Sequence, residues 1–271
     1  MDYVLITGAT SGIGYALAEI FYQKGHSLIL VGRSLEKLRQ TKVQLTKREG
    51  MDINEIDLKR KERETSQEII LICQDLSQQE AAQKVYTQVK SQGLKVQILI
   101  NNAGAGYVGA FVEEDERMIL EHMVLNMTSL TLLTRYFAEE MKKLGEGKIL
   151  NVASTGAYHP GSYTAVYYAT KAYVLSLSEA LYAELKPVGI HVASLCPGAT
   201  KTNFAKAAGR ADASIAMSAE EVAAKAYKGL MKNKRVIIPG IKNWLWIKVP
   251  RKIVMPFIEK YQKNLMHKNV K

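Results

Sequence analysis

The chain has 271 residues, 47% of them hydrophobic, 23% charged and 8% aromatic; that balance supplies a sizeable core and excludes a disordered, collagen-like or disulfide-stapled chain. Of the net charge of +11, +7 lies between Ile241 and Lys271, where eight basic residues face one acid, so the basic character is local and argues against a general nucleic-acid binder. Two cysteines, Cys73 and Cys196, read as free, buried thiols of a reducing compartment; no signal peptide and no run near ~20 apolar residues is visible, so a cytoplasmic location is expected.

Short apolar runs predict strands at Tyr3–Ile6, Ser27–Val31, Glu68–Cys73, Val96–Ile100, Lys148–Val152, Ile190–Leu195 and Arg235–Ile238. Between them, apolar residues recur at three- and four-residue spacing, as in Ile13–Lys24 and Ala165–Leu185. This alternation predicts an α/β fold, a doubly wound parallel sheet of Rossmann-like type with helices on both faces. One domain is expected over residues 1–240, with 241–271 as a basic, aromatic appendage.

The first strand runs into Thr7-Gly8-Ala9-Thr10-Ser11-Gly12-Ile13-Gly14 and then a helix. Glycines there let the backbone bend close to a pyrophosphate, and the helix N-terminus offers N–H groups and positive dipole. The second strand ends at Gly32 and is followed by Arg33, where a carboxylate would hold the ribose hydroxyl of NAD. A guanidinium matches a 2′-phosphate, so NADP(H) is preferred over NAD(H). The charged stretch 47–64 reads as a solvated excursion between the second helix and third strand.

Tyr-x-x-x-Lys occurs three times, at Tyr86/Lys90, Tyr167/Lys171 and Tyr182/Lys186, and means little by itself. Only the Tyr167 pair has a serine placed at the end of a predicted strand, Ser154, at the carboxyl edge where open α/β sheets bind ligands. The other two pairs read as ordinary pairs on helix surfaces. The histidines show no metal-ligand spacing, and no metal is expected.

The set of motifs resembles the short-chain dehydrogenase/reductase family over about residues 2–240: Thr7–Gly14, Asn101-Asn102-Ala103-Gly104, Asn126, Ser154, Tyr167 with Lys171, and Pro197-Gly198 with Thr200 and Thr202. The resemblance implies that Tyr167 is the general acid/base and that Lys171 lowers its pKa and binds the nicotinamide ribose. It also implies that Ser154 holds the substrate oxygen and that Asn126 interrupts its helix and positions a relay water. Asp75 and Leu76 would meet adenine, Asn102, Ala103 and Gly104 would line the cofactor cleft, and Pro197, Gly198, Thr200 and Thr202 would meet nicotinamide or pyrophosphate. The implied function is hydride transfer between NADP(H) and an apolar or aromatic ketone or secondary alcohol, of carbonyl reductase, 3-ketoacyl or hydroxysteroid type, by a homodimer or homotetramer. A non-catalytic dinucleotide sensor is the alternative, disfavoured because all four catalytic positions are filled. An epimerase is disfavoured by short length, and nucleic-acid binding by the lack of a recognisable module.

Three regions carry weaker expectations. The resemblance implies a substrate lid at Asn203–Met217, a job that its small, partly apolar composition suits, with Tyr107, Tyr158 and Tyr163 as wall residues and His159 nearby. Met118, Met123 and Met127 read as core filling. The tail, with Trp244 and Trp246 among its lysines, is expected to pack its apolar side over the pocket or a second subunit with its basic side in water; contact with an anionic membrane is the competing reading, weakened by Pro250 and Pro256 as helix breakers.

Overall fold

A computed structural model describes residues 2–47, 67–204, 208 and 216–269. The strands are β1 (Asp2–Thr7), β2 (Ser27–Gly32), β3 (Ile69–Cys73), β4 (Lys95–Asn101), β5 (Gly147–Val152), β6 (Ile190–Leu195), β7 (Thr200–Lys201), β8 (Met217–Ser218) and β9 (Val236–Ile237). The helices are α1 (Gly12–Gln23), α2 (Leu35–Lys47), α3 (Ala81–Ser91), α4 (Glu116–Met123), α5 (Leu130–Leu144), α6 (Ala165–Leu185), α7 (Ala219–Met231), α8 (Ile241–Trp246) and α9 (Arg251–Asn269). Seven strands form one parallel sheet in the order β3-β2-β1-β4-β5-β6-β9. All seven predicted strands are members of it.

Strand periodicity divides the core into two layers. Val4, Ile6, Leu28, Leu30, Ile98 and Ile100 face α1 and α7, meeting Leu17, Phe21, Val222 and Ala226. Their neighbours Leu5, Ile29, Val31, Leu99 and Ile149 face α3 and α5, meeting Val85, Val89, Leu133 and Phe137. Strands buried on both faces carry apolar residues at every position, which is why Leu28–Val31 reads as an unbroken run. The chain order reverses between β1 and β4, so the crevice at their carboxyl ends opens there.

Several expectations need correction. Cys73 is exposed, because it ends the edge strand β3; Cys196 is buried. Met118 and Met123 are exposed, since no residue of α4 is buried. Pro256 lies inside α9 and does not end it. A proline six residues into a helix removes one backbone bond and bends the axis, and the carbonyl it leaves unpaired belongs to the exposed Lys252, where water can reach it. Residues 48–64 of the charged stretch and 205–207 and 209–215 of the expected lid lie outside the described residues. The ends of that second segment are joined by an unforeseen ribbon, β7 with β8, which pairs Thr200 with Met217. No helix among the described residues is long and apolar enough to cross a membrane.

Candidate functional site

The glycine turn is built by close approach. Gly8 and Gly12 have φ of +66° and +55°, a region costly for any residue with a Cβ. Thr7 Oγ1 accepts from the backbone N–H groups of Asn102 and Ala103, both at 3.0 Å, and Asn102 Nδ2 donates to the carbonyls of Thr7 and Gly8 at 3.0 and 3.2 Å. A Cβ on Gly14 would run into the Gly8 carbonyl and the Asn102 amide, and one on Gly12 would meet Thr202 Cγ2 at 2.8 Å. Thr7, Gly8, Gly12, Gly14, Asn102, Ala103 and Thr202 are thus one packed unit. Ser11 caps α1 without a side-chain bond to its first turn, so the helix offers those N–H groups to an anion. Ile13 packs partly buried against the α1 layer, and Thr10 Cγ2 lies 3.3 Å from a Cβ built on Gly32.

Around this turn the other cofactor candidates divide. Arg33 is exposed just past β2. Asp75 spends Oδ1 on Ser77, accepting from its N–H at 2.9 Å and its hydroxyl at 2.8 Å. Leu76 is buried, and its carbonyl accepts from Ser129 Oγ at 2.6 Å. Beyond β6, the Pro197 carbonyl accepts from Thr155 N–H at 2.9 Å, and Thr200 Oγ1 donates to Gly198 O at 3.0 Å.

The second half of the site is held by α6 and by a π-helical turn, Val124–Ser129, between α4 and α5. Lys171 is buried, and its Nζ donates to the Val152 carbonyl at 2.8 Å, two residues before Ser154. Burial pushes its pKa down to about 8, and the neighbouring Cys196 opposes that shift. Tyr167 stands one turn earlier, its ring centroid 5.8 Å from Lys171 Nζ and 5.4 Å from the ring of Phe204. Asn126, fully buried in the π turn, grips the Ala105 backbone from both sides: Oδ1 accepts from its N–H at 2.9 Å and Nδ2 donates to its carbonyl at 2.8 Å. Nδ2 also donates to Thr170 Oγ1 at 3.1 Å, and that hydroxyl donates to Tyr167 O at 2.8 Å. A Cβ on Gly104 would sit 3.2 Å from Asn126 Oδ1 and 3.3 Å from Lys171 Nζ, and one on Gly106 would touch Tyr167 at 3.0 Å. The strand-end loop 102–106 therefore runs from the glycine turn to Asn126, Lys171 and Tyr167.

Ser154 Oγ accepts from Gly156 N–H at 3.0 Å and caps a short 3-10 turn, Thr155–Tyr158. The expected wall residues separate. Tyr163, with φ of +59°, lines a cavity of about 400 Å³ with Ala110, Phe111, Val112, Ser162 and Glu259. Tyr158 packs inward on Val174, Leu175 and Cys196, and burial pushes its phenol pKa up. His159 is buried with Nε2 3.4 Å from the Trp246 carbonyl, so it contacts the tail.

A family model described as short chain dehydrogenase matches residues 2–213. The chain belongs to that family. It is 33% identical over 204 residues to a putative ketoacyl reductase of the granaticin polyketide synthase from Streptomyces violaceoruber, over 74% of this chain and 69% of that one. A short-chain dehydrogenase from Sphingobium yanoikuyae, solved in complex with NADPH, superposes with a TM-score of 0.78 at 30% identity, over 93% of this chain and 97% of that one. A bulky-bulky ketone specific alcohol dehydrogenase from Comamonas testosteroni follows at 0.75 and 32%, covering 94% and 93%. Aligned stretches cover 61% to 69% of the length of the first curated relatives.

The motif residues singled out from the sequence are only part of the cluster around Tyr167 and Lys171. Thr170, Ala105, Gly106 and the Val152 carbonyl complete it, and none carried a spacing signal except Thr170, which sits inside the Tyr167–Lys171 turn. Asn101 belongs to a different network. Its Nδ2 donates to Thr134 and Asn151, each at 2.9 Å, and Asn151 donates to Ser178 at 3.0 Å, joining β4, β5, α5 and α6 in the buried interior.

Proposed function

We propose that this oxidoreductase uses NADP(H) to interconvert an apolar or aromatic ketone and its secondary alcohol. The observation that carries the reading is the buried Lys171, fastened to the end of β5 with the Tyr167 phenol one turn away. The donor set fits a nicotinamide dinucleotide: an uncapped helix N-terminus behind a turn with two positive-φ glycines suits a pyrophosphate, and Arg33 suits a 2′-phosphate. When bound, that group supplies or accepts the hydride. Tyr167 gives its proton to the carbonyl oxygen in reduction and takes it back in oxidation. Lys171, charged at neutral pH, stabilises the phenolate that this leaves. Ser154 hydrogen-bonds the substrate oxygen. Asn126 has both ends of its amide committed to Ala105 and Thr170, so its side chain positions the loop, and a relay water would meet the backbone of the π turn. The apolar ring of Phe204 beside Tyr167 favours an apolar or aromatic substrate.

The test is a panel of ketones and alcohols with both cofactors, read by nicotinamide absorbance. Tyr167→Phe is expected to lower kcat by at least about 10²-fold while cofactor affinity persists, and Tyr86→Phe to leave kcat unchanged. Full turnover by Tyr167→Phe would refute the assignment. The exposed Leu120, Met123 and Tyr173 also favour a homo-oligomer formed through α4 and α6, which light scattering would report as a multiple of the 30.2 kDa chain.

A further inference from the structure

The tail has two sides. α9 buries Val254, Ile258 and Gln262 at four-residue spacing against the body. The adjacent strip, offset by one residue or ~100° around the axis, leaves Ile253, Phe257 and Tyr261 exposed at 55%, 63% and 46%. Helix α8 adds the exposed Ile241, Trp244, Leu245 and Trp246. With Met255, eight large apolar side chains therefore stand exposed between residues 241 and 261, whereas a soluble monomer ordinarily scatters such residues singly.

Charge says what they fit. Lys242, Lys248, Arg251, Lys252, Lys260 and Lys263 are all exposed in the same segment, with Glu259 as its one acid. Lys248 Nζ lies 5.0 Å from the Trp244 ring centroid. Aromatic rings interleaved with cations suit the boundary of an anionic bilayer, where rings settle at headgroup depth and ammonium groups meet phosphates. A second copy of the chain would bring +7 against +7 and be repelled.

We propose that the exposed side of α8 and α9 docks this enzyme on an anionic phospholipid surface. The proposal is independent of substrate and cofactor, and packing of Val254, Ile258 and Gln262 is what presents the strip outward.

The experiment is sedimentation of the full chain with phosphatidylcholine vesicles, with and without phosphatidylglycerol. Both tryptophans lie in the tail, so selectively excited tryptophan emission reports this segment. Expected is binding to the anionic vesicles, at least about tenfold stronger than to neutral ones and weakened by salt, with a blue shift of emission. Lys252→Glu/Lys260→Glu and Phe257→Ser/Tyr261→Ser, each checked by thermal melt, should each lose about tenfold or more of that binding. The charge pair remains decisive if the serine variant folds poorly. Absence of the protein from the anionic-vesicle pellet, or equal pelleting of the charge-reversed protein, would overturn the proposal. So would a dimer that dissociates on Phe257→Ser/Tyr261→Ser, which would assign the strip to a second copy.

Discussion

Lys171 is held in the least hospitable place for an ammonium, buried with the Val152 carbonyl as its hydrogen-bond partner. Its folded pKa of about 8 lies below the ordinary lysine value, so between about 8 and ~10.5 the unfolded chain holds a proton that the folded one sheds. Stability therefore rises with pH through that window, and the penalty is full below it. Lys171→Met is expected to abolish turnover yet stabilise the fold by about 1–3 kcal/mol at pH 7, with the gain shrinking through the window between about 8 and ~10.5; urea denaturation at pH 7 and within that window checks this. Arg33→Ala tests the other end of the site, and should raise KM for NADPH about tenfold while leaving NADH nearly unaffected. At this scale the sequence was legible where a residue's own geometry is distinctive, as at Gly12 with its positive φ and its contact with Thr202. It was not legible where the partner is a backbone group, as with Ala105 and the Val152 carbonyl, or where exposure depends on which strand lies at the edge, as with Cys73.

Elements are joined by groups that a motif search would discard or misassign. The Tyr86/Lys90 pair matches the catalytic spacing but clamps α3 to α5 through Glu140: Lys90 Nζ lies 2.6 Å from Oε2, while the Tyr86 hydroxyl and Lys143 Nζ each donate to Oε1 at 3.0 Å. The Lys90 hydrogen bond is the largest cause holding the Glu140 carboxyl down at about 2. A depressed carboxylate contributes stability above its unfolded value near 4.3 and loses it as pH falls toward the folded one. Glu140→Ala should cost about 1 kcal/mol at neutral pH, shrinking as the medium is acidified to pH 2–3, with kcat unchanged; calorimetric melts across that range give the answer. The tail helix was misread for a related reason. Pro256 reads as a stop, but it lies flanked by exposed residues inside a helix whose buried strip continues on the far side.

For the whole molecule, hydrophobic periodicity was enough to place seven strands, because a sheet covered on both faces leaves long apolar runs. The β7–β8 ribbon has two residues in each strand and no period to detect. Sequence separation also hid the join between the tail and the loop after β6. A Cβ on Gly198 would collide with the side chain of Asn243 in α8, which donates to the Pro239 carbonyl at 2.6 Å. Gly198→Ala should raise the cofactor KM several-fold, and adding Asn243→Ala should restore much of the loss. Strict additivity of the two substitutions in a double-mutant cycle would show that tail and loop are energetically separate.

Strand β1 precedes the other strands in the chain yet stands inside the sheet, where Leu5 is paired on one side with Ile29 and on the other with Leu99. During synthesis its second flank must therefore stay open until β4 has left the ribosome, a wait of several seconds at about 5–20 residues per second. The nascent segment before β4 carries an uncovered, strongly apolar strand edge through that interval, so translation pauses or truncation before β4 should send the product to chaperones or aggregates and not to a stable partial domain.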